Sequence, residues 1–180
     1  MKKFEEKTIN TKELFNGKVI KVHIDDVELP NGEMAKREIV KHPGAVGVIP
    51  ITSEGKVVMV EQYRKPLERS ILEIPAGKLE LGELPELTAA RELEEETGYA
   101  ADNMEHLTSF YTSPGFSDEI IHLYVATDLR KVENPLAGDE DEFVELHELT
   151  LEDALKAVED QWIYDAKTAY AVLYLQSKKG

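Results

Sequence analysis

"GKLELGELPELTAARELEEETGY", Gly77 to Tyr99, ends in Arg91-Glu92-Leu93-Glu94-Glu95-Glu96, four carboxylates in five residues beside one arginine. Leu84 to Thr97 reads as a helix. Pro85 suits its first turn, Leu87, Ala90 and Leu93 make one apolar stripe, and Gly98 suits the C-terminal cap. On that helix Glu92 and Glu96 stand four residues apart, with Glu95 three from Glu92. The three therefore share one side, their Cβ atoms about 5–6 Å apart, while Glu94 is expected to face water. Like charges so crowded oppose the helix unless something positive binds among them. Hard oxygen donors suit Mg2+ or Mn2+, and Mg2+ shares its open positions with phosphate oxygens. The helix reads as a cation platform for a polyphosphate.

Outward from this helix, apolar residues alternate at Val19, Val22, Ile24 and Val27, turn at Pro30-Asn31-Gly32, and resume at Ile39 and Val40. That pattern predicts a β-hairpin. "GAVGVIPI", a Ser53-Glu54-Gly55 turn and "KVVMVEQYR" predict a second, more buried hairpin. "HLTSFYTS" and "EIIHLYVATDL" read as strands around "PGFSDE", and 151–160 and 166–176 as closing amphipathic helices. The order of elements predicts an α+β domain with a mixed sheet. His42-Pro43-Gly44 is the clearest break, so residues 1–43 are expected to form a strand module and 44–180 the main domain.

The chain has 180 residues, 36 acidic and 21 basic, for a formal charge of −15. With no basic cluster, a nucleic-acid partner is not expected. No apolar run is long enough to span a bilayer, and the first residues lack the apolar core of a secretory signal. The chain has no cysteine, which excludes thiolate chemistry and fits a reducing cytoplasm. The five histidines, His23, His42, His106, His122 and His147, sit at unrelated spacings, and structural roles are expected for each.

Gly77, five residues, Glu83, seven residues, then Arg91-Glu92-Leu93-x-Glu95-Glu96-x-Gly98 resembles the signature box of the Nudix hydrolases at every fixed position. A chain of this composition would match by accident about once in 10⁵. Tyr99, where the family usually has an aliphatic residue, is the one departure and bears on local packing. The resemblance implies an α/β/α sandwich around a mixed sheet and hydrolysis of a nucleoside diphosphate linked to another moiety. It further implies that Glu92, Glu95 and Glu96, with the carbonyl of Ala76, bind two or three Mg2+ ions (Mn2+ is the alternative). Arg91 is then expected to hold the glutamates by ion pairing, and Glu83 to organise the loop or a water.

Pro114 lies sixteen residues after Gly98, inside Ser113-Pro114-Gly115, a spacing similar to that of bacterial ADP-ribose pyrophosphatases. In that subgroup the segment lines the substrate site, and an acidic loop before a strand supplies the general base. Glu140, in "GDEDEFVEL", aligns best with that base, and Glu142 is a second candidate, as base or metal ligand. The same likeness extends over "REIVKHPGAV", "EQYRKPLERSILEIPAGKLE" and Ile163-Tyr164-Asp165-Ala166-Lys167-Thr168. It implies a homodimer with exchanged N-terminal strands, Arg64 as a phosphate clamp, and Arg37, Glu38 and Glu73 as contacts to the adenine or ribose ends. Plain surface charge stays open for those last three. Tyr63, Tyr111 and Phe116 are of a type to stack on adenine, but core packing is the preferred reading. The substrate implied is ADP-ribose, cleaved to AMP and ribose 5-phosphate. A sugar nucleotide, a dinucleotide or a non-catalytic nucleotide-sugar sensor are the alternatives.

Overall fold

The computed structural model describes residues 3–138 and 142–179. The chain divides into two compact units. One runs through Gly44 and takes in Phe110–Ile120, and the other comprises Ala45–Ser109 and the chain from Ile121 onward.

In the first unit, strands β1 (Lys7–Asn16), β2 (Lys21–Glu28) and β3 (Met34–Lys41) form an antiparallel sheet in the order β1-β2-β3. The β2–β3 turn is the expected one. Gly32 takes φ +85°, which a Cβ would resist, and its N–H donates to the Leu29 carbonyl. The segment 110–120 docks beside β3, where the Val40 N–H donates to the Phe116 carbonyl and Lys41 pairs with Asp118. Within it, the Ser113 carbonyl accepts from the N–H groups of Phe116 and Ser117, closing a turn around Pro114 and Gly115.

The second unit holds two sheets. One is mixed, in the order β7 (Ala76–Lys78), β4 (Ala45–Pro50), β9 (Ile120–Lys131), β8 (Tyr99–Tyr111), with β4 parallel to β9 and antiparallel to β7. The other is β10 (Val144–Leu149), β5 (Val57–Arg64), β6 (Arg69–Glu73), antiparallel throughout. This corrects the second expected hairpin. The turn at 52–56 closes, with the Gly55 N–H on the Thr52 carbonyl, but β4 and β5 meet only at an Ile51–Val57 bridge and then join different sheets. β4 and the first half of β5, Val57–Val60, are apolar and buried on both faces, which suits covered central strands rather than an open ribbon.

Helix α1 (Pro85–Thr97) packs on the mixed sheet, and α2 (Leu151–Glu159) and α3 (Ala166–Lys178) pack together. Val46, Val48, Val58, Ala89, Leu93, Tyr99, Tyr124 and Ala126 form a buried cluster under α1. Tyr99 fits that cluster because its hydroxyl donates to Glu148 at 2.7 Å, so the departure from the aliphatic residue leaves no polar atom unpaired. Among the described residues no helix is long and apolar enough to cross a membrane.

The expected apolar stripe of α1 needs correction. Leu87 and Ala90 are exposed, and the inward face carries Thr88, Ala89, Glu92, Leu93 and Glu96. The helix is rotated so that two glutamates are buried with its apolar residues, a cost that pairing, protonation or a bound cation must offset.

Candidate active site

Two left-handed glycines frame α1's surroundings, Gly82 before the helix and Gly98 at its C-cap with φ +68°. Gly77, on β7, faces the helix so closely that a Cβ there would lie 2.0 Å from the Glu92 carboxylate. The loop before α1 returns Glu83 to the helix, where it accepts from Thr88 Oγ1 at 2.9 Å and from Arg91 Nη2 at 3.2 Å. Arg91 Nη1 donates to Glu92 at 2.9 Å and Glu95 at 2.7 Å. One guanidinium thus ties three carboxylates into a fixed array.

Glu96 is outside that array. It is 7% exposed, and among the described residues its Oε2 accepts only the Ala76 N–H, at 3.1 Å. Burial, with the charge of Glu142 adding to it, pushes its carboxyl up to about 8. Burial also raises Glu92, against the pull of Arg91. Glu92, Glu95 and Glu96 each have one oxygen bonded to the protein. The other, Oε2, Oε1 and Oε1 respectively, makes no hydrogen bond among the described residues. Three open carboxylate oxygens, two of them on buried groups, fit a hard divalent cation.

On the neighbouring sheet Gln62 Nε2 donates to Glu142 Oε1 at 2.6 Å, and the charge of that carboxylate contributes to raising Glu96. Arg64 Nε and Nη2 grip both oxygens of Glu73 at 2.6 and 2.8 Å. Glu73, expected to contact a ligand, is 2% exposed and bonded also to Lys167, and Arg64 is the more exposed member of the pair. Its two cations outweigh the cost of burial and hold its carboxyl down at about 2.

The remaining expected residues lie in the first unit. Arg37 is in a two-point ion pair with Glu6 at 2.8 and 2.6 Å, Glu38 is exposed on β3, and Ser113, Pro114 and Gly115 form the turn already described. Glu140 lies outside the described residues. Tyr63, Tyr111 and Phe116 correct the core-packing reading: each is more than half exposed. Tyr63 and Tyr111 sit at or near strand ends and Phe116 in the turn between β8 and β9, positions that leave the rings exposed. Sequence reasoning missed Gln62, Thr88 and Lys167, which donate to Glu142, Glu83 and Glu73. Gln62 and Lys167 sit inside stretches whose likeness was noted, but a role that depends on a cross-strand or inter-element contact has no local signal.

Of the histidines, His106 and His122 share the Ser109 hydroxyl at 2.8 Å each. His147 lies with Glu61 and Glu145, one donor atom from each within 4.8 Å of the others. By strand alternation that group is on the face of β5 opposite Gln62 and Arg64.

A family model described as the NUDIX domain matches residues 41–170. The chain belongs to the Nudix family, and the array on α1 is that of a Nudix hydrolase. Among curated relatives, it is 63% identical to "ADP-ribose pyrophosphatase" of Bacillus subtilis (strain 168), covering 99% of this chain and 97% of the relative. It is 67% identical to "Methanol dehydrogenase activator" of Bacillus methanolicus, covering 97% and 95%. A crystal structure titled "ADP compounds hydrolase" has the same fold, with a TM-score of 0.84 at 23% identity over 97% of this chain and 93% of that one.

Proposed function

We propose that this protein hydrolyses the diphosphate of ADP-ribose to AMP and ribose 5-phosphate, with Mg2+ as cofactor. The observation that carries the metal-dependent part is Glu96, a buried carboxylate with one open oxygen and no cationic side chain bonded to it. Glu92, Glu95, Glu96 and the Ala76 carbonyl hold two or three ions. Bound there, such ions neutralise the diphosphate and acidify a water. Arg91 and Glu83 keep the glutamates in register. Glu140 is the first candidate to take the proton of the attacking water, and Glu142, held by Gln62, is the second, as base or metal ligand. Arg64 presents Nη1, which makes no hydrogen bond among the described residues, to a phosphate oxygen. Arg37, Glu38 and Ser113–Gly115 contribute to the adenine and ribose ends.

The name of the Bacillus subtilis relative supports ADP-ribose over other diphosphates. The name of the Bacillus methanolicus relative supports a second reading, in which the protein activates a dehydrogenase. The sheet of the first unit leaves β1 exposed along its whole length, with Ile9, Leu14 and Phe15 uncovered, which supports a homodimer that buries it. A chain without cysteine is at home in a reducing cytoplasm.

The test is hydrolysis of ADP-ribose, NADH, a sugar nucleotide and a nucleoside triphosphate with Mg2+ in ¹⁸O-water, read by mass. ADP-ribose is expected far ahead of the rest. Preference for another compound would overturn the substrate while keeping the chemistry. No turnover, together with stimulation of methanol dehydrogenase by both wild type and Glu96→Gln, would favour the activator reading without hydrolysis.

A further inference from the structure

The segment Trp162–Thr168 is bonded to three consecutive residues at the end of β6. The Leu72 N–H donates to the Trp162 carbonyl at 2.9 Å, and the Ile74 N–H donates to Thr168 Oγ1 at 3.0 Å. Between them, the Glu73 carboxylate accepts from Lys167 Nζ. Lys167 is 9% exposed and Thr168 fully buried, so this bracket is interior structure. Lys167 Nζ also donates to Asp165 Oδ1 at 3.0 Å, and the same Asp165 oxygen caps α3 by accepting the Thr168 N–H at 3.1 Å. The result is an unbroken chain of charges: Asp165, Lys167, Glu73, Arg64.

Alternation of sign along this chain has a mechanical consequence. A buried glutamate with Arg64 as its sole partner would draw the guanidinium down onto itself to compensate its charge. With Lys167 already beneath it, Glu73 is compensated from the protein side. Arg64 then supplies only part of that compensation: Nε and Nη2 are taken up by Glu73, Nη1 makes no hydrogen bond among the described residues, and the charges of Glu96 and Glu142 also favour the guanidinium. A lysine suits the inner place because its ammonium is a compact point donor, whereas the outer place needs a planar fork with a nitrogen to spare.

From this we infer that Lys167 is a positioning residue: acting through Glu73, it sets Arg64 to receive a diphosphate oxygen, and Asp165 anchors it in turn. The inference rests on Arg64 contacting the phosphates, as proposed above, but not on the identity of the nucleoside. Nothing in the Asp165–Thr168 segment touches the metal-binding glutamates among the described residues, so its effect belongs to ligand affinity rather than to the chemical step.

The experiment uses the full chain with Mg2+ and four variants: Lys167→Met, Asp165→Asn, Arg64→Ala and the double variant Arg64→Ala with Lys167→Met. Asparagine keeps a helix cap while removing the charge that anchors Lys167, so Asp165→Asn remains informative if Lys167→Met folds poorly. Binding of inorganic pyrophosphate by calorimetry is measured beside steady-state kinetics on ADP-ribose. Lys167→Met is expected to weaken pyrophosphate and raise KM about tenfold, with kcat within about threefold, and Asp165→Asn to follow with a smaller effect. In the Arg64→Ala background, Lys167→Met should cost nothing further. Unchanged pyrophosphate affinity in a folded Lys167→Met, or equal losses with and without Arg64, would overturn the inference. Wild type that binds pyrophosphate but ignores ADP-ribose would overturn the substrate reading alone. Wild type that binds no diphosphate would overturn both.

Discussion

At the scale of single residues, the site is governed by close approach and by unpaired charge. Gly77 has no Cβ because the Glu92 carboxylate occupies that volume. Gly77→Ala is expected to push Glu92 out of register and lower kcat/KM by about 10²-fold, with a far smaller effect on thermal stability. Kinetics beside a melting curve separates the two. Glu96 yields a pH prediction. Burial raises its carboxyl from 4.5 in the unfolded chain to about 8 in the folded one, so the folded state binds the extra proton between those values. Stability of the metal-free protein therefore falls as pH rises from about 4.5 to about 8. Mg2+ must displace that proton, so its affinity should rise about tenfold per pH unit below about 8 and level off above. Melting temperatures in chelator and in Mg2+, from pH 5.5 to 9, check both limbs. A flat metal-free profile would show that Glu96 ionises freely.

At the scale of elements, α1 is the informative case. Helix, start and stop were all legible: Pro85 at the first turn and Gly98 at the cap are local requirements of backbone geometry. The inward face was not legible, because apolar spacing places Leu87, Ala90 and Leu93 together and the fold buries only Leu93 of the three. What rotates the helix is the demand that Glu92 and Glu96 meet β7, where Gly77 and the Ala76 N–H receive them. Leu93→Ala is expected to cost about 2–5 kcal/mol by emptying a fully buried site. Leu87→Ala, on the exposed face, should stay within about 0.5 kcal/mol. Paired urea titrations decide it, and equal losses would mean that the apolar stripe, not the carboxylate face, is turned inward.

At the scale of the molecule, the residues singled out fall into both units: Glu92, Glu95, Glu96, Arg64 and Glu142 belong to the second, and Arg37, Glu38 and the Ser113–Gly115 turn to the first. The proposed homodimer would cover the exposed apolar residues of β1. Removing residues 1–42 is expected to convert a dimer into a monomer by light scattering and to raise KM for ADP-ribose at least tenfold. A truncated monomer with wild-type KM would show that the first unit is dispensable for the ligand.

The sequence alone determined the family and its chemistry, because the Gly77–Gly98 box is a contiguous stretch in which every constraint is local: glycines for tight approaches, carboxylates at one helical period, an arginine in reach of both ends. It likewise determined the β2–β3 turn, whose geometry is set by Gly32 within a few residues. Only tertiary structure decided that β4 and β5 part into separate sheets, that Tyr63, Tyr111 and Phe116 stay exposed, and that Glu73 is an internal partner of Arg64 and Lys167. Those outcomes depend on which surfaces from distant parts of the chain meet. Burial and charge compensation between residues 64, 73 and 167 are pairings across space, and no periodicity along the chain encodes them.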